Sequence, residues 1–234
     1  MSNGASSQRR SSYPWTVLAI LLGGSFMRWA ALGPMSTMLH HDEAFYGLDA
    51  LWLFHSRQIT PFLTENFGRE SGWCYVLVPF IGVFGARPIA LRLAAAMASI
   101  LGLTFLYRLG RELLGARGAI WTAAALSVLY LHVHLSHLAL RAGFFPTVGM
   151  LAFSTLLRAH RTNRLTHWVA GGLGVGLLAY TYFSADLWVA YGLVLMAGWL
   201  VLDRARRRGA GVAFLVAVFT CLPMVLYLSL IHIS

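Results

Sequence analysis

Apolar residues run along this chain in long blocks, separated by short polar connections. Seven blocks read as membrane-spanning helices, at about residues 15–33, 88–107, 119–135, 144–157, 168–183, 187–202 and 212–228. At a rise of about 1.5 Å per residue, roughly 20 apolar residues cross the ~30 Å hydrocarbon layer. The fourth and fifth blocks are short and extend by a residue or two at each end. The pattern predicts an all-α, polytopic transmembrane bundle of about seven spans. An eighth apolar stretch, residues 72–85, is shorter and contains Pro79.

That stretch decides the topology. If it crossed, the arginine-rich loops would fall on opposite sides of the membrane. If it lies at the interface, Arg9 and Arg10 share one side with the loops at 108–117, 158–164 and 204–208. The positive-inside rule assigns that side to the cytoplasm, so the stretch is read as a non-spanning, juxtamembrane helix. Residues 1–14 then form a cytoplasmic tail, and 34–87 a long outer loop with juxtamembrane helices. Asp42, Glu43, Asp49, Glu65, Glu70 and Asp186 fall outside, with Glu112 and Asp203 inside. The first span reads as uncleaved, because Arg28 interrupts it and no small-residue cleavage site follows.

Composition agrees: 58% hydrophobic residues, 11% charged and a mean hydropathy of +0.67 exclude a soluble domain. The net charge of +10 does not point to nucleic acid, since the arginines sit in short loops rather than on one wet face. Cys74 and Cys221 are too few and too far apart for a disulfide framework.

Candidate chemistry gathers on the outer side. Asp42 and Glu43 open a segment, through Trp52, with helical apolar spacing. Acids in a first turn are favoured by the helix dipole, and a carboxylate at the lipid–water boundary is also suited to be a general base. Neighbours on a helix point about 100° apart, so the two acids do not share one role. Glu70 reads as a contact to a sugar hydroxyl, a partner for an arginine, or a solvated loop acid. Arg92 and Arg141 each admit snorkelling into the headgroups or a bidentate phosphate clamp. His132, His134 and His137 raise a metal site, but no acid or cysteine lies close in sequence to complete one. Gly171, Gly172, Gly174 and Gly176 lack the preceding strand a phosphate loop needs, and Gly172 with Gly176 have helix-packing spacing. Tyr180 and Tyr182 fit an interfacial belt.

Taken in order, Asp42-Glu43-Ala44, Gly47-Leu48-Asp49-Ala50, Asn66-Phe67-Gly68-Arg69-Glu70 and Ala90-Leu91-Arg92-Leu93 resemble the protein O-mannosyltransferase-like membrane glycosyltransferases. These share the GT-C fold and include the lipid A aminoarabinose transferase. Leu135 to Arg141 and Ala179 to Tyr182 are similar to later parts of bacterial members. The resemblance implies transfer of a sugar from a polyprenyl-phosphate donor to a lipid, glycan or protein acceptor. The reaction would take place on the outer side of a bacterial inner membrane, among membrane lipids. It makes Asp42 the catalytic base with Glu43 as its catalytic neighbour, and leaves Glu70, Arg92, His137 and Arg141 as substrate-binding candidates. No cofactor is required by the pattern, and a divalent metal stays open.

Three departures stand out. Ser71 and Gly72 follow Glu70 where some relatives carry Lys or Pro, and a second outer acid near Ala142 is absent. His137 stands where bacterial relatives often place Arg. Residues 15–227 would be the amino-terminal membrane module of such an enzyme. Residues 228–234 read as a non-native tail resembling a translated adaptor, on a truncated gene fragment. The alternative function is a transporter or lipid flippase, which would want midplane charges and paired repeats.

Overall fold

The computed structural model describes residues 13–30, 32, 39–65 and 67–231. Most of the expected cytoplasmic tail, the start of the outer loop, Asn66 and the last three residues lie outside these. The chain runs through α1 (Tyr13–Ala30), α2 (His41–Ser56), a short hairpin of β1 (Phe62–Leu63) and β2 (Arg69–Glu70), and α3 (Gly72–Phe84). It continues with α4 (Pro88–Val128), α5 (Tyr130–Leu135), α6 (Arg141–Thr162), α7 (Leu165–Leu178), α8 (Ala185–Leu202) and α9 (Arg207–Ile231).

A straight helix of the 41 residues in α4 would extend for about 60 Å. The chain instead doubles back at Gly115, whose φ of 74° is open to glycine and strained for other residues. Gly110 packs against Ala119, which only a reversal permits. The two arms of α4 match the predicted second and third spans. With α1, α6, α7, α8 and α9 they make seven apolar passes. Among the described residues, 88–128, 141–162, 185–202 and 207–230 are long and apolar enough to cross a membrane. The predicted third span breaks at Leu129, whose backbone is extended, and α5 follows as a separate turn. The predicted fifth span is shorter than expected, because the chain turns after Leu178.

Arg28, which in the sequence only interrupts the first apolar block, bolts this framework together. Its guanidinium is fully buried. It donates to Ser99 Oγ at 2.7 Å, to the carbonyls of Gly24, Leu126 and Ser127, and to His132 Nδ1 at 2.7 Å. One cation thus ties α1 to both arms of α4 and to α5, with neutral acceptors satisfying its donors.

The helix α3 does not cross the bundle, because both of its ends meet the same end of it. At its start, the Gly72 amide donates to the Tyr180 carbonyl at 2.9 Å and the Trp73 indole to the Ala139 carbonyl at 2.8 Å. Beyond its finish, Arg92 in the second turn of α4 is joined through Glu43 to the Ala139 amide. The glycine run of α7 is a packing seam: Gly172 and Gly176 meet the α9 backbone, while Gly171 and Gly174 meet α6. These approaches leave no room for a Cβ, so the run has no phosphate-loop role.

Candidate active site

The start of α2 is set by a reciprocal cap. The His40 imidazole accepts from the Asp42 amide at 3.3 Å, and the Glu43 carboxylate accepts from the His40 amide at 2.9 Å. Helical periodicity then buries Glu43, Tyr46, Ala50 and Leu53. Asp42 and Tyr46, four residues apart, meet the edge of a cavity of about 590 Å³. Its other walls come from far along the chain: Phe62 and Phe67 to Glu70 from the hairpin, Leu140 to Ala142 at the start of α6, and Tyr182 with Phe183 before α8. The hairpin reaches this wall because Gly68 takes a φ of +76° against the Phe62 ring.

Asp42 is half exposed, with His41 Nδ1 3.5 Å from its carboxylate. Glu70 pairs with Arg141, the first residue of α6, as its reading as a partner for an arginine expects. The Arg141 guanidinium lies 5.1 Å from the Tyr182 ring centre and 6.0 Å from that of Tyr46. Its Nε is buried and has no hydrogen-bond partner among the described residues. A cationic donor with an unused N–H, at a helix start where amide dipoles favour anions, is suited to an oxyanion.

Arg69 forms the floor. It is nearly fully buried, stands 3.3 Å from Asp49 and lies over the rings of Phe45 and Tyr46 at 5.6 and 5.4 Å. Burial pushes the Asp49 carboxyl up from the ordinary range, and Arg69 offsets only part of that. Burial likewise raises the Tyr46 phenol, so it keeps its proton at neutral pH.

Three of the residues expected at the site lie elsewhere. Glu43 is fully buried and faces away from the cavity. It accepts from Arg92 Nε at 3.4 Å, from the Ala139 amide at 2.9 Å and from His40. Arg92 is therefore no exposed phosphate clamp, since its charge is spent on Glu43 inside the protein. His137 is tucked against the Met27 and Arg28 carbonyls at the end of α1. The other two histidines diverge: His132 binds Arg28, and His134 stacks on Tyr130 with centroids 5.7 Å apart. Among the described residues, no three His, Cys, Asp or Glu side chains gather to hold a metal ion, and no step below runs through one.

Sequence pattern alone does not single out Tyr46, Arg69 and Tyr182 as site residues. Tyr46 is within its reach, being one helical turn from Asp42. Tyr182 joins the site only through tertiary packing.

The bundle of apolar passes, with acids, arginines and tyrosines gathered round one end-facing cavity, shares the GT-C fold of the membrane glycosyltransferases it is similar to. The chain belongs to the dolichyl-phosphate-mannose-protein mannosyltransferase family, whose model matches residues 73–228. Asp42, Glu43 and Glu70 precede that match, whereas Arg92, His137 and Arg141 fall inside it. The chain is similar in structure to the oligosaccharyltransferase of Archaeoglobus fulgidus, solved with zinc and sulfate, at a TM-score of 0.73 and 17% identity over 89% of this chain and 31% of that one. It is similar to ArnT of Cupriavidus metallidurans in the apo state, at 0.69 and 19% over 94% and 43%. The same protein bound to undecaprenyl phosphate gives 0.65 and 18% over 93% and 41%. The chain thus spans less than half the length of these structures. No curated protein matches it by sequence.

Proposed function

We propose that this chain forms the amino-terminal, catalytic membrane module of a glycosyltransferase. It would move a sugar from a polyprenyl-phosphate donor to an acceptor at the outer face of a bacterial plasma membrane. The observation that carries the reading is the convergence of Asp42, Glu70 and Arg141, from three separate segments, on one cavity. The undecaprenyl phosphate bound to ArnT supports the lipid-phosphate class of donor.

In the proposed reaction the acceptor hydroxyl oxygen forms a bond to the anomeric carbon as the bond from that carbon to the donor phosphate breaks, with inversion. Asp42, half exposed at the cavity edge, takes the hydroxyl proton. Arg141, steadied by Glu70 and the Tyr182 ring, offers its positive charge at the cavity wall to the departing phosphate, whose negative charge grows as it leaves. Arg69 adds positive potential from below. Glu43, Arg92 and His137 hold the frame and touch neither substrate.

The test is transfer of radiolabelled sugar from polyprenyl phosphate in isolated membranes. Asp42→Asn should lower turnover by roughly 10²–10⁴-fold at unchanged protein level, the range of a lost general base. Turnover within a few-fold of the wild type would remove Asp42 from this role.

A further inference from the structure

The Tyr46 side chain carries a group that its packing does not use. Its ring is buried in the core beneath the cavity, in the same cluster as Ala50, Leu53, Trp73 and Leu77. The ring also meets both cations of the site, with the Arg69 guanidinium 5.4 Å from its centre and that of Arg141 6.0 Å away. A phenylalanine would fill the same space and present the same face to both arginines. The hydroxyl adds a desolvation cost, so it needs a hydrogen-bond partner.

The protein supplies only half of one. The hydroxyl interacts with Arg141, and a guanidinium carries donors but no acceptor. The phenol oxygen therefore accepts there, which leaves its own proton to be given elsewhere. Among the described residues no carboxylate or carbonyl takes that proton. The Glu70 carboxylate is turned to Arg141. Asp42, one turn earlier on α2, lies on the cavity edge beside His41. Tyr46 and Arg141 both line the cavity, so an atom resting there meets the cation and the phenol proton together. A neutral sugar hydroxyl would use the phenol but not the charge. An anionic oxygen would use both.

We propose that Tyr46 binds the phosphate of the lipid donor, its hydroxyl donating to a phosphate oxygen that also lies against Arg141. The inference deepens the proposed reaction and rests on it for the identity of the phosphate. It gives Tyr46 a part that its core position hides. The ring holds α2 to the frame, and the hydroxyl reads the charge of the ligand.

Binding is measured on the purified chain in detergent, with undecaprenyl phosphate as the probe and undecaprenol as the uncharged control. The wild type should bind the phosphate more tightly than the alcohol. Tyr46→Phe should weaken binding of the phosphate about tenfold, the loss of one hydrogen bond to a charged group, and leave alcohol binding unchanged. Its thermal unfolding should match the wild type, because the ring and both arginine contacts remain. If Arg141→Ala loses the preference for the phosphate while Tyr46→Phe keeps it, the role of Tyr46 is overturned and the proposed reaction stands. If the wild type shows no preference, both fall. Equal loss of the two lipids in Tyr46→Phe, with earlier unfolding, would make the hydroxyl a strut and overturn the inference.

Discussion

Two ion pairs clamp the segment after α1 onto the bundle, and they do opposite work. Glu43–Arg92 is closed: both side chains are buried, and the carboxylate also accepts from two backbone amides. Glu70–Arg141 is open: it sits on the cavity wall, and its guanidinium keeps a donor without a partner among the described residues. In sequence the two pairs look alike, each an acid of the outer loop and an arginine near a span end. Burial and completeness of hydrogen bonding separate a frame from a site. A closed pair has nothing left to offer a ligand, while an open one does.

Removing one half of the closed pair gives the largest expected effect. Glu43→Ala removes the buried carboxylate that accepts from Arg92 and from two backbone amides, and should cost about 3–5 kcal/mol of stability. The readout is folded yield and thermal unfolding in detergent. The double variant Glu43→Ala with Arg92→Leu removes both buried charges and should recover part of the loss. If the single variant unfolds no earlier than the wild type, the closed pair is not a frame.

The open pair should respond the other way. Arg141→Ala removes a mostly buried pair and two ring contacts, and should cost about 1–3 kcal/mol, less than the closed pair. Sugar transfer should fall by roughly 10²–10³-fold, the usual cost of losing one donor to a developing anion. Equal damage to folding and turnover would make Arg141 another strut and erase the contrast between the pairs.

Much of the frame is legible in the sequence. The seven passes follow from apolar blocks, most of them of membrane-crossing length and the fifth shorter. The non-spanning α3 follows from its length and from the placement of the arginines. The glycine run reads as packing, because its context lacks a strand. The site is legible only in part. Asp42, Glu70 and Arg141 stand out in the sequence as candidates, since charge beside a bilayer is rare and costly, and the structure brings these three to one cavity. Which acid meets which arginine cannot be read, because Glu43 lies 49 residues from Arg92 and Glu70 lies 71 from Arg141. Helical phase decides the fates of Asp42 and Glu43: one residue of rotation turns one to the cavity and the other to Ala139. The role of Arg28 is hidden for a related reason. A lone arginine in an apolar run announces no partner, and most of its acceptors are carbonyls and hydroxyls brought by α4.

The smallest expected effect is the most discriminating. In Glu70→Gln the neutral amide can still hydrogen-bond to Arg141 but no longer competes by charge for its guanidinium. If Glu70 steadies Arg141 while yielding to the donor phosphate, the variant should bind the lipid donor a few-fold more tightly. Its kcat should fall a few-fold, as expected for a lost charge-assisted hydrogen bond. The measurement is steady-state transfer at varied donor concentration, which separates KM from kcat. A fall in kcat with KM unchanged would place Glu70 on the reacting sugar instead, in contact only in the transition state. A rise in KM alone would mean that Glu70 itself binds the donor, with Arg141 serving only to hold it.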